Sequence, residues 1–159
     1  MESNQKKGAA LLLATALAVP AEGLRQVAYR DPVGIMTVCY GETHNVDPTR
    51  KYTIEECKAR LNASMIETID HVDKCAPNLP IPVLAAFSDA AYNIGYTVAC
   101  DVKKSTAARM LKAGDIKGAC NQLLKWDKAN IGGVMVSLPG LTKRRQEESK
   151  LCLTGLNSA

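Results

Sequence analysis

The chain has 159 residues, 47% of them apolar and 23% charged, which fits one domain with a substantial core and excludes a disordered or low-complexity protein. The formal net charge is +4 and only 4% of residues are aromatic, so the stacking platforms of single-stranded nucleic-acid readers are missing and nucleic acid is not expected as a partner. The mild positive balance suits an anionic polymer as partner, and serves solubility equally well.

Lys6 and Lys7 precede an apolar run from Gly8 to Ala21, the charged start and short apolar stretch of an export signal. The run is shorter than the roughly 20 residues that span a bilayer comfortably. It also reads as a core helix, and one segment can serve both uses in turn. Its alanines and leucines favour helix until Pro20 interrupts or kinks it. From Val27 to Tyr40, β-branched and aromatic residues surround the turn-like Asp31-Pro32-Val33-Gly34, which predicts a hairpin. Ile35, Thr37 and Cys39 would share one face of its second strand, opposite Met36, Val38 and Tyr40.

Everything beyond Thr53 reads as helix. Thr53 and Glu56 form a capping-box signature, and Ile54, Cys57, Leu61, Met65, Ile69 and Val72 recur at helical spacing, predicting a long helix with a break near its middle as an option. Pro80 and Pro82 open another helix, with Val83, Phe87, Ala90, Ala91 and Ile94 on one face and Gly95 at its end. Ser105 caps a short helix that Gly114 closes, and Asp115 caps the next, whose apolar stripe ends at Trp126, a core residue. Gly132-Gly133 and Pro139-Gly140 then separate these from a final helix, Leu141 to Leu153. Its stretch Lys143 to Lys150 mixes both charge signs and reads as a solvated face held by i,i+4 pairs.

Cys39, Cys57, Cys75, Cys100, Cys120 and Cys152 contain no Cys-x-x-Cys pair of the kind that suggests zinc or a redox motif. They read as disulfides formed in an oxidising compartment, with buried free thiols as the alternative, and their spacing does not choose among the possible pairings. No metal or cofactor is expected, and His44 and His71 read as surface residues.

Cleaving a glycosidic bond without a metal takes two carboxyl groups, one protonated for the leaving oxygen and one ionised to help water. Glu22, after an apolar helix, and Asp31, in a polar turn beside Arg30, are the candidates: desolvation favours the protonated acid at the first, and the second stays charged. Alone, such residues cap helices and fill turns in any protein. Glu22, Asp31 and Thr37, however, stand at the spacing E-x8-D-x5-T inside EGLRQVAYRDPVGIMTVCYGET, and LPGLTKRRQEESKLC follows near the end. With these segments the chain resembles the phage-type lysozymes, a glycoside hydrolase family, over nearly all its length after Ala21.

The resemblance implies an α+β, lysozyme-like fold: a small β-hairpin lobe over residues 22–55, a larger all-helical lobe over 56–159, and the active-site cleft between them. Residues 1–21 would form the export or anchor helix, retained in the mature enzyme, because cleavage after Ala21 would put an ammonium group on Glu22. It implies inverting hydrolysis of the β-1,4 bond from N-acetylmuramic acid to N-acetylglucosamine in bacterial peptidoglycan, with Glu22 as general acid and Asp31 with Thr37 holding the attacking water. It also suggests the pairings Cys39–Cys57, Cys75–Cys100 and Cys120–Cys152. The implied enzyme is a monomer exported to the periplasm, its N-terminal segment associating transiently with the inner membrane, as in members with a signal-anchor-release segment. One departure stands out: where the family often has Gly-His-Thr, this chain has Gly41-Glu42-Thr43, so Glu42 must supply any contact that the histidine would make. The competing readings are a lytic transglycosylase acting on the same bond and a non-catalytic protein that binds the wall.

Overall fold

The computed structural model describes residues 2–157; the expected domain ends at residues 1, 158 and 159 lie outside these. Helix α1 spans Glu2–Glu22. It is not interrupted at Pro20. Proline removes the bond to the carbonyl four residues back, and here that carbonyl belongs to exposed Ala16, one turn from the helix end, where water can satisfy it. Ala10, Ala14 and Ala18 repeat every fourth residue, so they lie on one face, and all three are fully buried.

Strands β1 (Arg25–Arg30) and β2 (Met36–Cys39) form an antiparallel hairpin closed by the expected turn, with Tyr29 opposite Thr37. The Thr53/Glu56 capping box then starts α2, Ile54–Cys75, which runs unbroken. Its buried stripe is Cys57, Leu61, Met65, Thr68, Ile69 and Val72; Ile54, expected on that stripe, sits in the first turn beyond the edge of the core and is exposed.

Helix α3 (Ile81–Ile94) begins after Pro80, and Gly95 follows it in a conformation with φ near +94°. Only one apolar face was expected, yet every residue from Val83 to Ala91 is buried. The reason is position, since α1, α2 and α7 (Pro139–Thr154) all pack on this central helix. Between α3 and α7 lie α4 (Thr97–Cys100), α5 (Thr106–Ala113), capped by Ser105 and closed by left-handed Gly114, and α6 (Ile116–Gln122), capped by Asp115. A 3-10 turn at Leu123–Lys125 leads to Trp126, which is partly buried against the core.

The larger lobe is not purely helical. Strands β3 (Lys128–Ile131) and β4 (Val134–Ser137) make a second hairpin around Gly132-Gly133, where a plain loop was expected. Both glycines have positive φ, the geometry of a two-residue hairpin turn. No described helix is long and apolar enough to cross a membrane.

Three disulfides join Cys39 to Cys57, Cys75 to Cys100 and Cys120 to Cys152, the pairs that the resemblance suggests. They tie the first hairpin to α2, α2 to α4, and α6 to α7. Their sequence separations are 18, 25 and 32 residues. Loops of that size each contribute about 3–4 kcal/mol by restricting the unfolded chain, together comparable with the ~5–15 kcal/mol stability of a typical domain. Reducing all three is expected to lower the melting temperature by more than about 20 °C, read by circular dichroism with and without dithiothreitol; a shift of a few degrees would refute this.

Candidate active site

Glu22 is the last residue of α1, and Gly23, with φ near +71°, turns the chain out of the helix toward β1. Its side chain is 18% exposed and pairs through Oε1 with Nη1 of Arg144, a buried residue of α7. The carboxyl group therefore meets a guanidinium as well as the desolvation expected from the sequence. On its other side lies the backbone of Gly41, where an added Cβ would overlap Glu22 Oε2.

The chain reaches Gly41 by a tight reversal: Val38 and Glu42 exchange both backbone hydrogen bonds at 2.9 Å. Cys39 and Gly41 within it both have positive φ, near +61° and +78°. For cysteine that is an unfavourable backbone, held here by the buried bridge to Cys57. Gly41→Ala would combine a strained φ with overlap on the Glu22 carboxyl, and is expected to cut hydrolysis at least about tenfold through displacement of that carboxyl. A steady-state assay together with a melting curve checks this, and an unchanged rate would remove Gly41 from the site.

Asp31 sits in the turn of the first hairpin. Its Oδ1 accepts from the backbone N–H of Val33 at 3.0 Å and of Ile35 at 2.8 Å, and among the described residues no protein donor binds Oδ2. Thr37 is buried in β2, and its hydroxyl donates to the Ile35 carbonyl at 2.9 Å. Asp31 and Thr37 thus bind the N–H and the C=O of one residue, which fixes them side by side. Among the described residues neither hydrogen-bonds with Glu22. Gly41 brings Glu22 against the same lobe.

Glu42 is buried and joins that lobe to the helices. Its Oε2 accepts from Ser64 of α2 at 2.9 Å, and its Oε1 lies 3.0 Å from Tyr92 Oη of α3. The tyrosine proton is shared with the Tyr40 carbonyl, 2.6 Å away. Burial first, and then the charge of Glu42, push the Tyr92 pKa well above the usual tyrosine range, so the phenol remains a donor. Glu42, Ser64, Thr68 and Tyr92 also help line a polar cavity of about 230 Å³ between the hairpin lobe and the helices. A larger hollow of about 660 Å³ follows the outer face of α2, where Asp70 is bound by Lys7 at 2.8 Å. Glu22 lines neither hollow, but the smaller one is lined by Gly41, whose backbone borders the Glu22 carboxyl.

The closing helix departs most from expectation. Its Arg144, Arg145, Glu148 and Ser149 are buried, not a solvated face, because this side of α7 packs on α3. Arg144 grips fully buried Asp89 with two bonds, Nε to Oδ2 at 3.0 Å and Nη2 to Oδ1 at 2.7 Å, while its Nη1 holds Glu22. Burial works against its charge, but the bonds and charges of Asp89 and Glu22 outweigh that and raise its pKa. Arg145 meets Glu148 at 2.6 and 2.8 Å and reaches Asn93 Oδ1 at 2.8 Å. Burial, and then the neighbouring Asp89 carboxyl, push Glu148 well above the usual carboxylate range, with Arg145 pulling it back.

Three carboxyl groups thus face two guanidinium groups, and one proton among the acids neutralises the cluster. Asp89 and Glu148 are fully buried; Glu22 alone is partly open. Sequence reasoning missed Asp89, Arg144, Glu148 and Gly41. The available signal was that α7 carries charge of both signs while α3, otherwise almost wholly apolar, contains one acid.

Residues 20–148 match the phage lysozyme family. The chain belongs to this family. It is 39% identical to the SAR-endolysin of Bacteriophage PS119 over 84% of this chain and 77% of that protein. It is 36% identical to the SAR-endolysin of Enterobacteria phage P21 over 84% and 78% of the two chains. Among solved structures, the active form of P1 phage endolysin Lyz superposes with a TM-score of 0.79 at 26% identity, covering 91% of this chain and 84% of that one. A P22 lysozyme mutant superposes at 0.71 and 26% identity, covering 89% and 94%. This lysozyme-family chain therefore has the mixed, helix-rich fold with small hairpins that these endolysins share.

Proposed function

We propose that this chain is an endolysin that hydrolyses the β-1,4 bond between N-acetylmuramic acid and N-acetylglucosamine in bacterial peptidoglycan, with inversion at the anomeric carbon. The observation that carries this reading is the placement of Glu22, clamped between Arg144 and the Gly41 backbone at the joint of the two lobes. Glu22 is the general acid that protonates the leaving oxygen. Among the described residues no protein donor occupies Asp31 Oδ2, and Asp31 with Thr37 holds and deprotonates the attacking water. Arg144 fixes the Glu22 carboxyl, and Asp89 shares the charge of Arg144, so that the guanidinium does not answer to Glu22 alone.

The protein is exported to the periplasm as a monomer and is tethered first to the inner membrane through α1, which is then retained in the active enzyme. The names of the SAR-endolysin relatives support the route. Retention is supported by the buried Ala10, Ala14 and Ala18, and by Glu22 being the last residue of α1 itself. Removing residues 1–21 would leave a hole against α3 and place an ammonium group on the acid.

Digesting purified peptidoglycan and analysing the fragments by mass spectrometry and proton NMR tests the reaction. Reducing muramic-acid ends, appearing first as the α-anomer, are expected. Anhydro ends would mean a transglycosylase, a β-anomer first would mean retention, and no cleavage with wall binding preserved would mean a binding protein.

A further inference from the structure

We propose that the β3–β4 hairpin is a membrane-docking element that rests its exposed aliphatic face on an anionic phospholipid surface. The register pairs Ile131 with Val134 and Ala129 with Val136. Side chains alternate between the two faces of a strand, so these four share one face, while Lys128, Asn130, Met135 and Ser137 share the other. In a globular sheet the apolar face lies on the core. Here it does not: Ile131 is 55% exposed, Val134 62% and Val136 40%, and Met135 behind them is 58% exposed. The two strands pair only with each other, as a separate two-stranded sheet. The tip is nonetheless well formed, since the Asn130 side chain accepts from the Gly133 N–H at 2.8 Å across the two-glycine turn. A firm, protruding aliphatic wedge of this kind is a surface for a partner.

Charge and chemistry choose the partner. The base of the hairpin carries Lys125 and Lys128 against one nearby acid, Asp127, whose oxygens accept from Thr142 at 2.7 Å and Ser137 at 3.4 Å and lie 3.8 Å from the Lys128 ammonium. Lysines bordering an apolar wedge can extend their ammonium groups to lipid phosphates while the aliphatic side chains enter the acyl boundary. The glycan of the wall is a poorer match, because the aliphatic face offers neither an aromatic platform nor a hydrogen-bonding side chain. The inference does not depend on the hydrolase reading and involves a segment distinct from α1.

The test uses the full-length, oxidised protein with vesicles of phosphatidylglycerol and phosphatidylethanolamine, and with neutral phosphatidylcholine vesicles. Trp126, the only tryptophan, stands at the base of the hairpin and reports its approach through quenching by brominated lipid. Sedimentation with the anionic vesicles, weakening with salt, and quenching of Trp126 are expected. A variant carrying Ile131→Ser, Val134→Ser and Val136→Ser should lose at least about tenfold in vesicle partitioning and keep its rate on soluble peptidoglycan fragments. Leu12→Ser, on the exposed side of α1, should leave the Trp126 quenching unchanged. Vesicle binding that survives the triple substitution would overturn the proposal, as would absence of vesicle binding, including the case where the hairpin instead mediates dimerisation or binding to intact sacculi.

Discussion

Replacing Glu22 by glutamine is expected to lower peptidoglycan hydrolysis by about 10²- to 10⁴-fold, the usual contribution of a general acid, while the protein stays folded. Glutamine keeps an oxygen that can accept from Arg144, and Arg144 keeps its two bonds to Asp89, so the buried cluster loses one carboxylate without orphaning a cation. What disappears is the dissociable proton. Turbidity clearing by the two proteins, with matched melting curves, separates lost chemistry from lost structure. A variant that clears at the wild-type rate would show that the proton comes from elsewhere. The complementary substitution, Asp31→Asn, removes the ionised partner but not the turn, because an amide oxygen can still accept from Val33 and Ile35. It is expected to lose activity to a similar extent without a large change in stability.

Replacing Arg144 by methionine is expected to destabilise the fold by about 3–5 kcal/mol, the cost of breaking a buried pair and leaving one partner charged and alone. The partner left behind is Asp89, which is fully buried and has both carboxyl oxygens on Arg144. The double substitution Arg144→Met with Asp89→Asn removes the stranded charge as well and should recover most of that loss, since a buried pair replaced as a unit costs little. Urea unfolding of the wild type, both single variants and the double variant gives the coupling energy directly. Equal losses in the single and double variants would show that packing of the arginine stem, not charge, holds α7 on α3. In neither case is activity expected to return, because Glu22 loses the contact that fixes its carboxyl.

The local rules of the chain were largely legible. The Thr53/Glu56 box, the Ser105 and Asp115 caps, the stop at Gly114 and the turn after Asp31 each depend on a few neighbouring residues and act where the sequence places them. The helix end at Glu22 and the hairpin that carries Asp31 and Thr37 are likewise short-range features, and the structure has both where the sequence puts them.

The partners of the site were not legible. Arg144 lies 122 residues from Glu22 and 55 from Asp89, and nothing local distinguishes it from a solvated arginine on a charged helix. The same composition gives an exposed i,i+4 lattice or a buried ion cluster, depending only on which face another helix covers. That choice is made when α1, α2 and α7 close around α3, whose single acid compensates buried Arg144 while Glu148 and Asn93 compensate Arg145. The sequence by itself determined the caps at Thr53, Ser105 and Asp115, the stop at Gly114 and the turn after Asp31, because these are decided by short-range hydrogen bonds and backbone sterics. Only the tertiary structure decided which charges are inside and that an aliphatic hairpin is left outside, because burial depends on the packing of segments distant in the chain.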